Sequence, residues 1–324
     1  MATSPRASQP DGSTGGMVVR KIACIGECMI ELGEAGPGLM RQGYGGDTLN
    51  TAVYLRRTLP ETVGSVAYVT ALGDDPFSDE MIKGWQSEGI GCDFVARLEG
   101  RLPGLYVIRT DANGERSFLY WRNAAAARDV FAGADGRARL ARLEAFHVLY
   151  LSGISLAILS EADRTALLEF LTLRRKQGAT IAFDPNFRPR LWPDTAEARK
   201  VITTAAKAAS IVLPSFADEQ ALFGDPTPGA TLERLHGLGA EEVIVKDGEE
   251  NLHFRVDGQA FEALPVRVTD PVDTTGAGDS FNGAYLASRI QDHGIGQSVD
   301  AALRLAALVV RHRGAVIPKD ATLF

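Results

Sequence analysis

Apolar residues recur along this chain in two rhythms, one suited to strands and one to helices. From Lys21 to Leu32 the run KIACIGECMIEL is almost continuously apolar, which predicts a central strand buried on both faces. Gly33 to Gly46 is rich in glycine and ends in the turn Gly45-Gly46-Asp47. Beyond it Val53, Leu55 and Leu59 mark a helix, for which Asp47 reads as an ordinary cap. Val63 to Leu72 predicts the next strand, and Pro76 to Glu88 an amphipathic helix with Phe77, Met81, Ile82 and Trp85 on one face. Between Cys92 and Trp121 the pattern changes to short alternating runs, with Ala112-Asn113-Gly114-Glu115 as a turn signal. That stretch predicts an antiparallel meander, a lid or small second sheet.

The alternation of strand and helix then resumes. Helices are expected over 136–143, 161–177 and 195–209, and strands over 146–151, 179–183 and 211–213. Another helix begins near Pro214-Ser215, 243–246 and 251–255 form a strand pair, 261–268 holds further strand, and helices over 278–290 and 298–312 close the chain. No repeat and no domain linker interrupts this order. The whole is an α/β fold with a mostly parallel sheet and helices on both faces.

One stretch brings chemistry into this frame. Asp273-Thr274-Thr275-Gly276-Ala277-Gly278-Asp279-Ser280-Phe281 is a turn whose small residues open a helix. Backbone N–H groups left bare at a helix start favour a phosphate or a developing oxyanion. Asp279 in the first turn could merely complement the helix dipole, but beside an anion it is repulsive unless it serves as a general base for an attacking hydroxyl. Asn186 and Arg188 follow the strand ending at Phe183, where ligands bind in open α/β sheets. Tyr120 and Arg122, two apart, share one face of a strand, and tyrosines there are packing residues by default. Glu219 reads either as a first-turn helix acid or as an acid holding a hydrated cation.

Composition narrows the choices. A chain of 324 residues with 45% hydrophobic and 23% charged residues suits a globular enzyme. A net charge of -7 argues against a nucleic-acid partner, which needs a cationic face. Cys24, Cys28 and Cys92 form no metal or disulfide spacing, and the first is a core residue of its strand together with the second. Residues 1–18 carry no apolar run and read as a disordered leader rather than a signal peptide. No stretch approaches the roughly 20 apolar residues that cross a bilayer, so a cytoplasmic protein without membrane contact is expected. G-x-x-x-x-G-K-[ST], G-x-G-x-x-G and H-E-x-x-H are absent. Gly153-Ile154-Ser155-Leu156-Ala157 is one residue short of a nucleophile elbow, leaving Ser155 a turn residue. What remains is phosphoryl transfer to a hydroxyl.

The stretch DTTGAGDSFNGAYL, with GGDTLNTAVY (45–54), resembles the two signatures of the PfkB/ribokinase family of ATP-dependent sugar kinases. GECMIEL, RLPGLY, YWRNAAAA, YLSGISLAILS and DPNFRPRLW are similar to its 2-keto-3-deoxygluconate kinase branch. The resemblance runs from Lys21 to about Gly314. It implies a ribokinase-like unit over 19–324, whose small antiparallel lid draws strands from about 33–45 and 92–122 and often makes a dimer or a larger homo-oligomer.

It also implies roles. Asp279 would be the base, with Gly276, Ala277 and Gly278 as the anion cradle. Gly45, Gly46, Asp47, Asn50, Tyr106, Tyr120, Arg122 and Arg188 would surround a sugar acid, the arginines suiting bidentate recognition of a carboxylate. Asn186, Ser215, Lys246, Gly248 and Thr275 would join the cradle around ATP, and Glu219 would reach Mg²⁺ through water. Lys246 reads equally as an exposed strand end and Ser215 as a helix cap. In related sugar kinases a K⁺ ion sits near the cradle. Glu31 stands where ribose-type members carry an aspartate, and its role is open. A fructokinase-type specificity and a non-catalytic sugar-acid or nucleotide sensor are the competing readings.

Overall fold

The computed structural model of the protein describes residues 19–36, 38–110, 116–256 and 258–322. The leader expected at 1–18 and the turn expected at 112–115 lie outside the described residues. The first apolar run does not form one strand. It breaks at Gly26-Glu27-Cys28 into β1 (Arg20–Ile25) and β2 (Met29–Gly36), which enter different sheets. A Cβ on Gly26 would stand 2.1 Å from Thr48 Oγ1, so only glycine lets the chain turn this close to the next helix. Apolar content hid the break, because residues on both sides of it are buried.

β1 lies at the heart of a large sheet, parallel to β4 (Gly64–Leu72) and β8 (Val148–Ser152). Beyond β8 follow β9 (Thr180–Asp184), β10 (Ile211–Val212) and β11 (Glu242–Val245), all parallel. β12 (Leu252–Val256) and β13 (Gln259–Ala263) add an antiparallel edge. On the other side β5 (Val95–Arg97) pairs in parallel with β4. The stretch from Cys92 to Trp121 is therefore not one meander: its first strand closes the nine-stranded sheet. Alternation marks a strand without saying which sheet edge it joins.

Two core layers clothe this sheet, as the alternation of β1 requires. Ile22 and Cys24 face the layer of α1 (Asp47–Thr58), α2 (Pro76–Ser87), α9 (Ala277–Ile290) and α10 (Ile295–Val309). Ala23 and Ile25 face that of α3 (Gly133–Arg142), α4 (Gly153–Ile158), α5 (Glu161–Lys176), α6 (Thr195–Ala208), α7 (Phe216–Phe223) and α8 (Pro228–Gly237). On α2, Met81 and Trp85 are buried but Phe77, in the first turn, is 39% exposed. Ser155, expected in a turn, is the third residue of α4 and completes a capping box with Ser152. α8 was not expected from periodicity; Thr227 caps it and Pro228 opens it.

The small sheet runs β3-β2-β6-β7, with β3 (Leu39–Gly45), β6 (Gly104–Thr110) and β7 (Arg116–Trp121). Its outer pairs are antiparallel, while β2 and β6 at its centre are parallel. It thus begins at Met29, four residues before the expected lid.

Candidate active site

The C-terminal edge of the large sheet gathers polar ends: Glu27 follows β1, Asp184 closes β9 and Lys246 follows β11. Facing them are the starts of α1 and α9. α9 begins behind Gly276, whose φ of 77° is left-handed and whose absent Cβ would stand 2.6 Å from the Ala315 carbonyl oxygen. Both the dihedral and the contact demand glycine. No side chain caps this helix end. The Ala277 N–H reaches the Thr274 carbonyl at 3.3 Å and that of Ser280 the Gly276 carbonyl at 2.8 Å. The N–H groups of Gly278 and Asp279 have no acceptor among the described residues. A Cβ on Gly278 would meet nothing nearer than Lys246 Nζ at 3.8 Å, so the space before these donors is one that a side chain would fill. Bare donors, a helix dipole and glycine clearance make a phosphate cradle. Thr275 donates its N–H to Asp273 Oδ1 at 3.0 Å, and Gly314 donates to Oδ2 at 2.9 Å. Asp273 thereby splints the turn to the C-terminal segment.

Asp279 stands one residue past the cradle, and Asn50 Nδ2 donates to its Oδ2 at 2.8 Å. Burial first, and then the charges of Asp47 and Asp184, push its pKa from 3.8 up to about 7 against the opposing pull of Asn50 and Lys246. Such a carboxyl is matched to taking a proton from a hydroxyl near neutral pH. α1 brings Asn50 to this point because α9 packs tightly on it at Gly283, where a Cβ would lie 2.8 Å from Leu55 N and Thr51 O.

Asp47 is the first residue of α1 rather than its cap; Gly46 holds the cap position. A Cβ on Gly46 would meet the Glu27 carbonyl oxygen at 2.1 Å. Asp47 accepts from the Thr48 N–H at 2.8 Å and from Asn186 Nδ2 at 2.7 Å, while burial raises its pKa. Asn186 adopts φ 35°, a region that asparagine tolerates better than most residues, and its N–H returns to Asp184 Oδ1 at 3.1 Å. Lys246 is drawn inward: its Nζ donates to Asp184 Oδ2 at 3.1 Å and Asn282 Oδ1 at 2.9 Å. Ser215 caps α7 by accepting from the Asp218 N–H at 3.3 Å. Gly248, at φ 59°, turns in open space after β11.

On the lid, Tyr106 and Tyr120 are cross-strand neighbours with rings 5.9 Å apart. Tyr106 Oη donates to Glu31 and leans on Gly45, where a Cβ would lie 2.5 Å from it. Arg122, just past β7, donates to Glu27 and stands 5.9 Å from the Tyr120 ring centre. Arg188 donates to Asp218 at 3.2 Å. Each of the two arginines thus rests on an acid that the sequence did not single out.

Glu219 does not belong here. Its side chain is fully buried on Arg234, 2.6 Å away, which also holds Asp225. Successive helix residues point about 100° apart, so Asp218 faces Arg188 and feels Asp184 while Glu219 faces α8. Sequence reasoning also passed over Glu27, Asp184, Asp273 and Asn282. Asp184 and Asp273 lie inside the quoted motifs, and Asn282 is three residues after Asp279, hence on the same helix face. Glu27 was hidden in an apolar run.

The pfkB family carbohydrate kinase model matches residues 19–322. The chain is 44% identical over 311 residues to a 2-dehydro-3-deoxygluconokinase of Dickeya dadantii (strain 3937), covering 94% of this chain and 99% of that one. A protein of the same name from Haemophilus influenzae is 45% identical over 305 residues, covering 94% and 97%. A fructokinase of Vibrio alginolyticus is 29% identical over 306 residues, covering 92% and 95%. Among solved structures, a PfkB protein from Polaromonas sp. JS666 superposes with a TM-score of 0.79 at 24% identity, covering 91% and 96%. A putative ribokinase II from E. coli in complex with ATP and Mg²⁺ gives 0.78 at 23%, covering 92% and 94%. At these identities the structures share the fold.

Proposed function

The chain belongs to the pfkB family of carbohydrate kinases, and on that premise we propose that it phosphorylates 2-keto-3-deoxygluconate, also called 2-dehydro-3-deoxygluconate, with ATP. Relatives at 44% and 45% identity carry that activity in their names, against 29% for the fructokinase. The observation that carries the reaction type is Asp279, a carboxyl pushed up to about 7 and held by Asn50 beside two unpaired helix-start donors.

In this reading the C6 hydroxyl gives its proton to Asp279 while its oxygen attacks the γ-phosphorus. The bond from that phosphorus to the bridging oxygen breaks, leaving ADP and 2-keto-3-deoxy-6-phosphogluconate. Gly276, Ala277 and Gly278 supply N–H groups to the charge that develops on the phosphoryl oxygens. Lys246, Asn186, Ser215, Thr275 and Gly248 line the nucleotide's path. Mg²⁺, when bound, neutralises phosphate charge, and Asp218 rather than Glu219 would reach it through water, in keeping with the ion's habit of retaining its hydration. Tyr106, Tyr120 and the Gly45-Gly46-Asp47 turn hold the sugar, and Arg122 and Arg188 hold its carboxylate. A K⁺ ion near the cradle, residence in the cytoplasm and a homodimer through the lid, or a higher homo-oligomer built on it, complete the proposal. Residues 19–324 act as one kinase unit in it, within sugar-acid breakdown of the Entner–Doudoroff type.

The test is ADP release with 2-keto-3-deoxygluconate, 2-keto-3-deoxygalactonate, fructose and ribose, for the wild type and Asp279→Asn. The acid should be preferred and the variant slowed about 10²-fold or more. A preference for neutral sugars would assign the chain a fructokinase-type role, and binding without turnover in the wild type would make it a sensor. Replacing K⁺ by Na⁺ in the same assay tests the monovalent ion.

A further inference from the structure

Glu27 has no part in the phosphoryl chemistry above, yet the chain converges on it. Between the sheets the chain passes through Glu27 itself, leaves β3 through Gly46, enters β6 at Gly104 and leaves β7 at Arg122. Gly46 abuts the Glu27 carbonyl oxygen at 2.1 Å and Gly104 abuts its Oε1 at 2.8 Å, both measured from the Cβ each glycine lacks. Arg122 Nη2 donates to Oε2. The two side chains are 1% and 7% exposed, and Glu27 Oε1 and Arg122 Nε find no partner among the described residues. A buried cation therefore holds one carboxylate through Nη2 and keeps Nε to spare.

If a substrate carboxylate also docks on Arg122, one guanidinium faces two buried anions. Across a guanidinium such anions stand about 6 Å apart, and with an effective dielectric near 20 their repulsion alone weakens the fully ionised complex about 100-fold. The other groups facing Glu27 do not remove the conflict. Arg128 attracts it, Asp47 on α1 repels it, and Tyr68 and Cys28 are held neutral by burial. Burial already raises the Glu27 pKa above its ordinary value.

We propose that Glu27 takes up one proton from solvent when the carboxylate of a sugar acid docks on Arg122, so that the shared guanidinium again faces a single negative charge. The proposal rests on the sugar-acid reading of the substrate. Only an O–H bond forms, on the Glu27 carboxylate, and its neutral carbonyl still accepts from Arg122. Because the bound form holds the proton more tightly than the free form, affinity for the acid is greatest at low pH. It falls as pH rises between the free and bound values, by at most tenfold per pH unit. A neutral sugar brings no second anion and shows no such dependence.

Calorimetric titration decides this in Asp279→Asn, where the proposed base of the site, itself raised to about 7, is removed. 2-Keto-3-deoxygluconate and fructose are titrated in two buffers of different ionisation enthalpy, between about pH 6 and about pH 8. Expected is uptake of a fraction of a proton, rising to one, per acid bound and none with fructose. In Asp279→Asn/Glu27→Gln, which keeps the volume and an acceptor for Arg122, the uptake should vanish and the acid's Kd become flat with pH. Equal uptake in both variants, or none in Asp279→Asn with the acid, overturns the proposal. The second result stands even if the double variant fails to fold. Binding of fructose without binding of the acid overturns the substrate reading itself, which is a different failure.

Discussion

The carboxyl of Asp279 accepts from Asn50 at 2.8 Å, and the charge of Asp47 adds to burial in raising its pKa to about 7. As the proposed base it would work only when ionised, so kcat/KM should rise about tenfold per pH unit up to about pH 7 and then level. The same shift has a stability consequence of opposite sense. The folded pKa exceeds the unfolded one, so the native state holds the proton longer, and stability present at low pH is lost as pH rises through about 7. Asp279→Asn should therefore melt above the wild type by a margin wider at about pH 8 than at about pH 5. Equal margins would show that ionisation carries no penalty in the fold. The cradle glycines separate in a similar way. Gly276→Ala combines a left-handed φ of 77° with a 2.6 Å clash on Ala315 and should destabilise by about 1–3 kcal/mol. Gly278→Ala has clearance in the fold, so melting should stay put while kcat/KM for ATP falls about tenfold or more; urea titrations and steady-state rates check the pair.

α7 shows how an element sorts neighbouring residues into different jobs. Ser215 caps it, Asp218 faces Arg188, and Glu219, fully buried, faces Arg234. Burial pushes Glu219 up to about 7 despite Arg234, and its side chain, fully buried 2.6 Å from Arg234, is closed to a hydrated metal. Asp218→Asn should raise the Mg²⁺ concentration needed for half-maximal rate by about fivefold or more, whereas Glu219→Gln should leave it unchanged and lower the melting temperature. Mg²⁺ titrations of the two variants decide the assignment, and a shift in Glu219→Gln alone would reverse it. The glycine turns that open α1 and α9 were legible because such turns act locally, although the cap of α1 is Gly46 and not Asp47 as expected. Lys21 to Leu32 was misread because burial on both sides of Glu27 erases the period that would reveal the break. α8 was missed because its signals are only Thr227 and Pro228 before a short apolar pattern.

Over the whole molecule, Arg122 follows the small sheet and Arg188 the large one, so in the proposed reading lid closure would bring both to one sugar acid. β7 is an edge strand of the lid, and Leu119 and Trp121 on it are 50% and 60% exposed, the kind of edge that pairs with another chain. Trp121→Glu should convert the proposed dimer to monomer, read by light scattering, and a wild-type monomer would refute the lid interface. The reaction type was determined by sequence alone, because the cradle and its base lie within nine consecutive residues, 273–281, and a helix start needs nothing distant to present its N–H groups. So was most of the order of strands and helices, which local periodicity dictates, apart from the break at Glu27, the short α4 and α8. Tertiary structure alone decided the partners: Asn50 meets Asp279 across 229 positions, Asn186 meets Asp47 across 139, and Arg122 meets Glu27 across 95. The physical reason is that periodicity tells which face a residue occupies, whereas the charge opposite that face is set by how sheets and helices stack.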